Sequence, residues 1–265
     1  MNQQQPAVIS PRELTRENRL NSYLIYLEDV VVEFDGFRAL DIDLFGLKFN
    51  ELRVVIGPNG AGKTTLCDVI SGKTPTTRGH RYWQGNSVDD KSDSEMALLG
   101  VGRKFQTPTV FDSLTVFENM EMALPGAHNV WRTLRGRMTD TEEQRILEIL
   151  DRVNLTESRD VPTRFLSHGQ RQSLELCMLI LAGPDLLLVD EPAAGLTDDE
   201  TDLMADLLLE LRGQHAILVI EHDMEFVRRL NAGVTVLHEG KIMTEGSMEE
   251  VQQNPAVVEA YLGRG

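Results

Sequence analysis

The stretch that decides the fold reads Leu52-Arg53-Val54-Val55-Ile56-Gly57-Pro58-Asn59-Gly60-Ala61-Gly62-Lys63-Thr64-Thr65. An apolar β-type run passes directly into a glycine-rich segment, which passes in turn into a helix-like stretch from Thr64 to Ile70. That is the G-x-x-x-x-G-K-T pattern in the strand–loop–helix setting it needs. Glycines let the backbone curl so that its N–H groups converge on a phosphate, and the positive end of the following helix points at the same charge. Gly57, Asn59, Gly60, Ala61, Gly62, Lys63, Thr64 and Thr65 are the candidate phosphate-binding residues. Lys63 is placed to reach the β- and γ-phosphates, and Thr64 to give an oxygen to Mg²⁺.

Working outward, further β-rich runs lie at Leu24 to Phe34, His80 to Gln84, Leu186 to Asp190, Ala216 to Ile220 and Val234 to His238, several of them followed by helical patterns. Such alternation predicts an α/β fold with a mostly parallel core sheet, because parallel neighbours need crossover helices. The N-terminal strands are expected to add an antiparallel part. Between about Phe111 and Val161 the strands stop, and Val116 to Leu124 and Thr141 to Val153 carry helical periodicity. An inserted helical subdomain is expected at about 107–182, within a domain of 23–265 that follows a polar extension of 1–22. In a parallel sheet, residues just past the strand ends line the ligand crevice. The run Leu186 to Val189 ends in Asp190 and Glu191, so Asp190 is the candidate metal-shell carboxylate and Glu191 the candidate base for an attacking water.

Composition narrows the functions. A chain of 265 residues carries 26 Lys and Arg against 42 Asp and Glu, a net charge of −16, which disfavours nucleic-acid binding by phosphate neutralisation. Cys67 and Cys177 lie far apart without metal-ligand spacing and are expected to pack as small apolar side chains. The longest apolar run, Leu176 to Gly183, falls well short of the about 20 residues a bilayer span needs.

Leu166-Ser167-His168-Gly169-Gln170, twenty residues ahead of Asp190, resembles the LSGGQ signature of ATP-binding cassette (ABC) ATPases, with His168 in place of the first central glycine. The resemblance covers about Leu24 to Leu262. It implies an ABC cassette fold and an ATP hydrolase using ATP and Mg²⁺. It also implies Gln106 as a glutamine touching the metal, Glu191 as catalytic glutamate, His222 as switch histidine, and Phe34 as the aromatic that stacks on adenine, with Phe37 as its competitor. Two cassettes sandwich two ATP molecules in that family, so Ser167, Gly169 and Gln170 are expected to serve a partner's nucleotide. The implied partners are a second ATPase subunit, identical or different, two membrane permease chains and, indirectly, a solute-binding protein. The implied location is the cytoplasmic face of the membrane, peripherally.

Phe105-Gln106-Thr107-Pro108-Thr109-Val110-Phe111 and Leu114 to Asn119 resemble the branched-chain amino-acid group of importers. Ser167 to Gln170, Glu191-Pro192-Ala193-Ala194-Gly195-Leu196-Thr197-Asp198 and Glu221 to Val227 resemble its urea-importer branch. The expected solute is therefore urea, with a branched-chain amino-acid importer, or a soluble cassette ATPase such as an iron–sulfur assembly subunit, as alternatives. Thr197 departs from the family's usual aspartate, as His168 does from glycine. The segment Phe111, Leu114, Val116, Phe117, with Glu118 at its rim, is expected to be partly exposed as a permease-docking stretch.

Overall fold

The computed structural model describes residues 14–104, 110–125 and 138–262. Two sheets organise it. β1 (Tyr23–Phe34) and β2 (Phe37–Lys48) form a long hairpin whose connection, Asp35-Gly36, has φ of 49° and 83°. Positive φ at both central residues is what a two-residue turn requires to match the twist of its strands. With β4 (Arg78–Trp83) and β5 (Asn86–Ser87) this hairpin completes an antiparallel sheet of order β2-β1-β4-β5.

The second sheet runs β10-β9-β3-β8-β7-β6, from β3 (Leu52–Ile56), β6 (Val101–Lys104), β7 (Leu186–Asp190), β8 (Ala216–Ile220), β9 (Gly233–His238) and β10 (Lys241–Gly246). All neighbours are parallel except the β9–β10 pair. Its central strands β3 and β8 are apolar but for the buried Arg53, because both faces are covered. Val54, Ile56, Leu187, Val189, Ile217 and Val219 face one core, packed with α4 (Val116–Ala123), α5 (Asp140–Asp151), α6 (His168–Ala182) and α7 (Asp198–Leu211). Their alternates Val55, Leu186, Leu188, Leu218 and Ile220 face a second core shared with α2 (Lys63–Ile70) and the antiparallel hairpin. Cys67 and Cys177 are buried free thiols, one in each core.

Elements missing from the sequence reading have weak local signals. β2 alternates Leu40 and Ile42 inward with Asp41 and Asp43 between them, and aspartate is depleted in strands. A helix α1 (Arg16–Ser22) occupies the end of the stretch expected as an extension. It buries none of its side chains; Arg16 donates to the Tyr82 hydroxyl at 2.8 Å and Arg19 to that of Tyr26 at 3.1 Å. Short α3 (Asp93–Leu98) and the edge strand β10 were likewise unread, while α8 (Met224–Leu230), α9 (Met248–Gln253) and α10 (Pro255–Leu262) complete the chain. Residues 105–109 and 126–137, at the edge of or within the expected helical insertion, lie outside the described residues.

The expected docking stretch divides. Phe111 is half exposed, but Val116 is fully buried and Glu118 serves as the N3 partner of Thr115 in the capping box of α4. The segment is seated by Asn119, fully buried, which accepts from the Phe111 N–H at 2.8 Å and donates to the Thr115 and Phe111 carbonyls. Replacing Asn119 by Ala strands these buried groups, so urea denaturation should show a loss of about 1–3 kcal/mol; an unchanged midpoint would remove that role.

Candidate functional site

The order β3-β8-β7-β6 sets the C-terminal ends of these strands side by side, so the segments after Ile56, Ile220 and Asp190 converge on one crevice. In the loop after β3, Gly57 is packed so closely that a Cβ there would lie 2.2 Å from the Leu237 carbonyl oxygen. Gly62, at φ 100°, stands at the N-cap of α2. The loop therefore presents Asn59 and Gly60 to solvent above a glycine floor. Lys63 is buried and folds back, its Nζ donating to the carbonyls of Gly57 at 2.8 Å and Pro58 at 3.1 Å. Burial lowers the Lys63 pKa, opposed by the nearby carboxylates of Glu191, Asp190 and Glu221.

An open depression of about 430 Å³ is lined by Phe34, Phe37, Ala39, the loop from Asn59 to Thr65, and Glu191. Both aromatics are exposed and pair across the hairpin turn, so the sheet places the two competitors for adenine stacking at the same rim. Thr64 is exposed beside them.

Asp190, at the end of β7, is buried, and burial pushes its carboxyl above the usual range despite the opposing Arg103 guanidinium. Its Oδ1 has no hydrogen-bond partner among the described residues. A buried, unpartnered carboxylate oxygen is costly unless a cation or donor completes it. Mg²⁺, which takes oxygen ligands and keeps waters and phosphate oxygens, fits Asp190 together with the Thr64 hydroxyl. Glu191 follows at φ 48°, an uncommon conformation for a residue with a side chain, its N–H bonded to the Ile220 carbonyl at 2.9 Å. His222, exposed after β8, brings Nδ1 to 3.7 Å from Glu191 Oε1.

Ser167, Gly169 and Gln170 stand apart from this depression. Ser167 caps α6, accepting from the Gln170 N–H at 3.1 Å while the Gln170 side chain accepts from the Ser167 N–H. The Ser167 hydroxyl also donates to Glu200 Oε1 at 3.2 Å. A Cβ on Gly169 would lie 2.3 Å from the Glu200 carboxylate, so a larger residue there requires that side chain to shift. Glu200 is the N3 residue of the capping box that Thr197 opens on α7. The Thr197 N–H bond and, less strongly, the hydroxyls of Thr197 and Ser167 hold its carboxyl below the usual range against desolvation.

His168 rests against Gly195, with Nε2 2.8 Å from Gln172 Nε2. That amide nitrogen also donates to the Ala194 carbonyl at 3.0 Å, and Gln172 Oε1 accepts from Lys104 at 3.4 Å. An amide nitrogen can only donate, so His168 Nε2 stands as the acceptor in this contact.

The structure thus brings Lys63, Thr64, Asp190, Glu191 and His222 together, keeps Ser167, Gly169 and Gln170 on a separate face, and leaves Gln106 outside the described residues. Glu221 and Gln172, both buried, were not read from sequence as part of the site; a glutamate ending an apolar strand and a glutamine inside a helix carry no signal of their own.

Residues 41–194 match the family model described as ABC transporter, and residues 241–265 match one described as branched-chain amino acid ATP-binding cassette transporter. The high-affinity branched-chain amino acid transport ATP-binding protein BraF of Pseudomonas aeruginosa is 33% identical, over 91% of this chain and 98% of its own. LivG of Escherichia coli K12, bearing the same description, is 31% identical with the same coverage. The solved ADP conformation of an ATP-binding cassette of an ABC transporter superposes with a TM-score of 0.77 at 28% identity, over 91% of this chain and 99% of that one. A nucleotide-free cassette gives the same TM-score at 27% identity, over 90% and 98%.

Phe34 and Phe37 are separable by experiment. Phe34→Ala should weaken ATP binding by the about 1–3 kcal/mol that a base–aromatic stack contributes, measured by calorimetry, with Phe37→Ala costing less; the reverse order would assign the stack to Phe37.

Proposed function

The chain belongs to the ATP-binding cassette transporter family and is one of its ATP-hydrolysing subunits, and from that premise we propose that it drives an importer of branched-chain amino acids. The observation that carries the solute reading is the match along 91% of the chain to relatives named for branched-chain amino acid transport, joined by the C-terminal match at residues 241–265. Those relatives do not name urea, so the solute expected first from the motifs gives way to its alternative. Among the described residues no helix is long and apolar enough to cross a membrane. Attachment to the cytoplasmic face then comes through two permease chains, with a solute-binding protein delivering cargo to them.

In this reading the loop from Gly57 to Thr65 binds the ATP phosphates through backbone N–H groups, with Lys63 leaving its own loop carbonyls for phosphate oxygens. Asp190, Thr64 and Gln106 would hold Mg²⁺, which would screen the phosphate charge. Glu191 takes the proton from the attacking water, and His222, whose ring lies 3.7 Å from that carboxylate, donates to the γ-phosphate as negative charge builds there. The cap of α6, with Ser167 exposed and Gly169 beneath it, is a second phosphate receptor without a phosphate of its own chain. A second cassette supplies that phosphate, so the working unit is a dimer.

Glu191→Gln keeps shape but removes the base, so kcat should fall about 10²- to 10⁴-fold with MgATP binding retained; near-normal hydrolysis by the assembled transporter would take Glu191 out of the role. Lys63→Ala removes a charge-assisted contact and should instead weaken ATP binding by about 1.5–3 kcal/mol, read by calorimetry. Deleting the chain in its host should abolish high-affinity uptake of labelled leucine and spare that of urea, and the opposite pattern would restore the urea reading.

A further inference from the structure

Glu221 follows β8 directly and is fully buried, where an apolar strand meets the crevice. Neither of its oxygens is idle. Oε1 accepts from the Ala193 N–H at 3.0 Å, two residues beyond Glu191. Oε2 accepts from the N–H groups of His222 at 2.8 Å and Asp223 at 3.1 Å. One carboxylate therefore joins the turn that carries Glu191 to the turn that carries His222. From the opposite side, Gln172 holds the same Glu191 turn by donating to the Ala194 carbonyl.

This bridge has work to do. Glu191 sits at φ 48°, a conformation that persists only where the surroundings over-determine it. The backbone on its N-terminal side is fixed by the ladder bond to Ile220, and on its C-terminal side by the hold on Ala193. The His222 backbone is pinned by the other oxygen of the same group, so the separation of the two side chains is set through a single carboxylate. Only an acceptor with two oxygens and no proton can serve donors on both sides.

We propose that Glu221 is a positioning residue for ATP hydrolysis, locking the Glu191 turn to the His222 turn so that the base and the γ-phosphate donor keep their relative placement. Both of its oxygens are taken up by backbone N–H groups, so it acts through Glu191 and His222. The inference rests on the reading of Glu191 and His222 given above, and the experiment separates the two.

Glu221→Gln is isosteric but turns one acceptor oxygen into a donor facing backbone N–H groups, while Gln172 still anchors the turn. In the full-length chain, isolated in complex with its membrane partners, kcat should fall about 10- to 100-fold, the cost of misplacing a reacting group by the order of 1 Å, with KM for ATP unchanged. In a Glu191→Gln background the same substitution should lower turnover no further, because residues acting as one unit are not additive. Calorimetry with MgATP on the purified full-length variant should give wild-type affinity. Near-normal kcat for Glu221→Gln, beside an inactive Glu191→Gln, would overturn the proposal and leave the base assignment intact. Loss of ATP binding, or of cooperative unfolding, would overturn it in favour of a purely structural role. Normal turnover by Glu191→Gln itself would instead overturn the reading on which the proposal rests.

Discussion

Covering both faces of the parallel sheet is the constraint on which the rest depends. β3, β8 and β7 contribute alternate residues to two separate cores, and parallel strands buried on both sides end together at one edge. That edge is where the polar residues begin: Gly57 after β3, Asp190 and Glu191 at and after β7, Glu221 and His222 after β8. A crevice of charged groups over an apolar sheet is therefore a product of the packing. It concentrates carboxylates and a lysine in a region where burial moves Lys63 down and Asp190 up.

The loops that leave this edge are held by bonds that cross between elements. Glu221 ties the turn after β7 to the turn after β8, and Gln172 ties the turn after β7 to α6, while Lys104 at the end of β6 reaches the Gln172 carbonyl oxygen. Ser167 and Thr197 cap two helices whose N-termini meet through Glu200. The cap of α6 is thus fastened to the turn that follows this chain's own Glu191.

His168 and Thr197, the two departures from the usual pattern, acquire physical roles. Thr197 is one of the favoured N-cap residues, though weaker than aspartate, and completes a capping box with Glu200. His168 lies beside Gly195 and bonds Gln172, the residue that in turn donates to the Ala194 carbonyl. Both changes adjust how the two segments meet, and neither removes a residue that the crevice uses.

The phosphate loop, the strand ending in Asp190-Glu191, the capped start of α6 and the alternation of strand with helix were all legible in the chain, because each is set by neighbours in sequence: glycines for curvature, unbroken apolar runs for two-sided burial, a serine three residues before a glutamine for a cap. The ABC family followed from those motifs together. Less was legible where stability comes from a distance. α1 holds on through Arg16 and Arg19 against tyrosines of the first sheet, and β2 and β10 are set by pairing with partner strands, so local periodicity understated all three. Nor could sequence show that Phe34 and Phe37 share one rim, that Glu191 is turned to positive φ, or that Glu221 bridges two loops. Those facts depend on which strand ends lie side by side. Strand order is decided when the chain closes on its cores, and only then does a buried glutamate acquire donors on both sides.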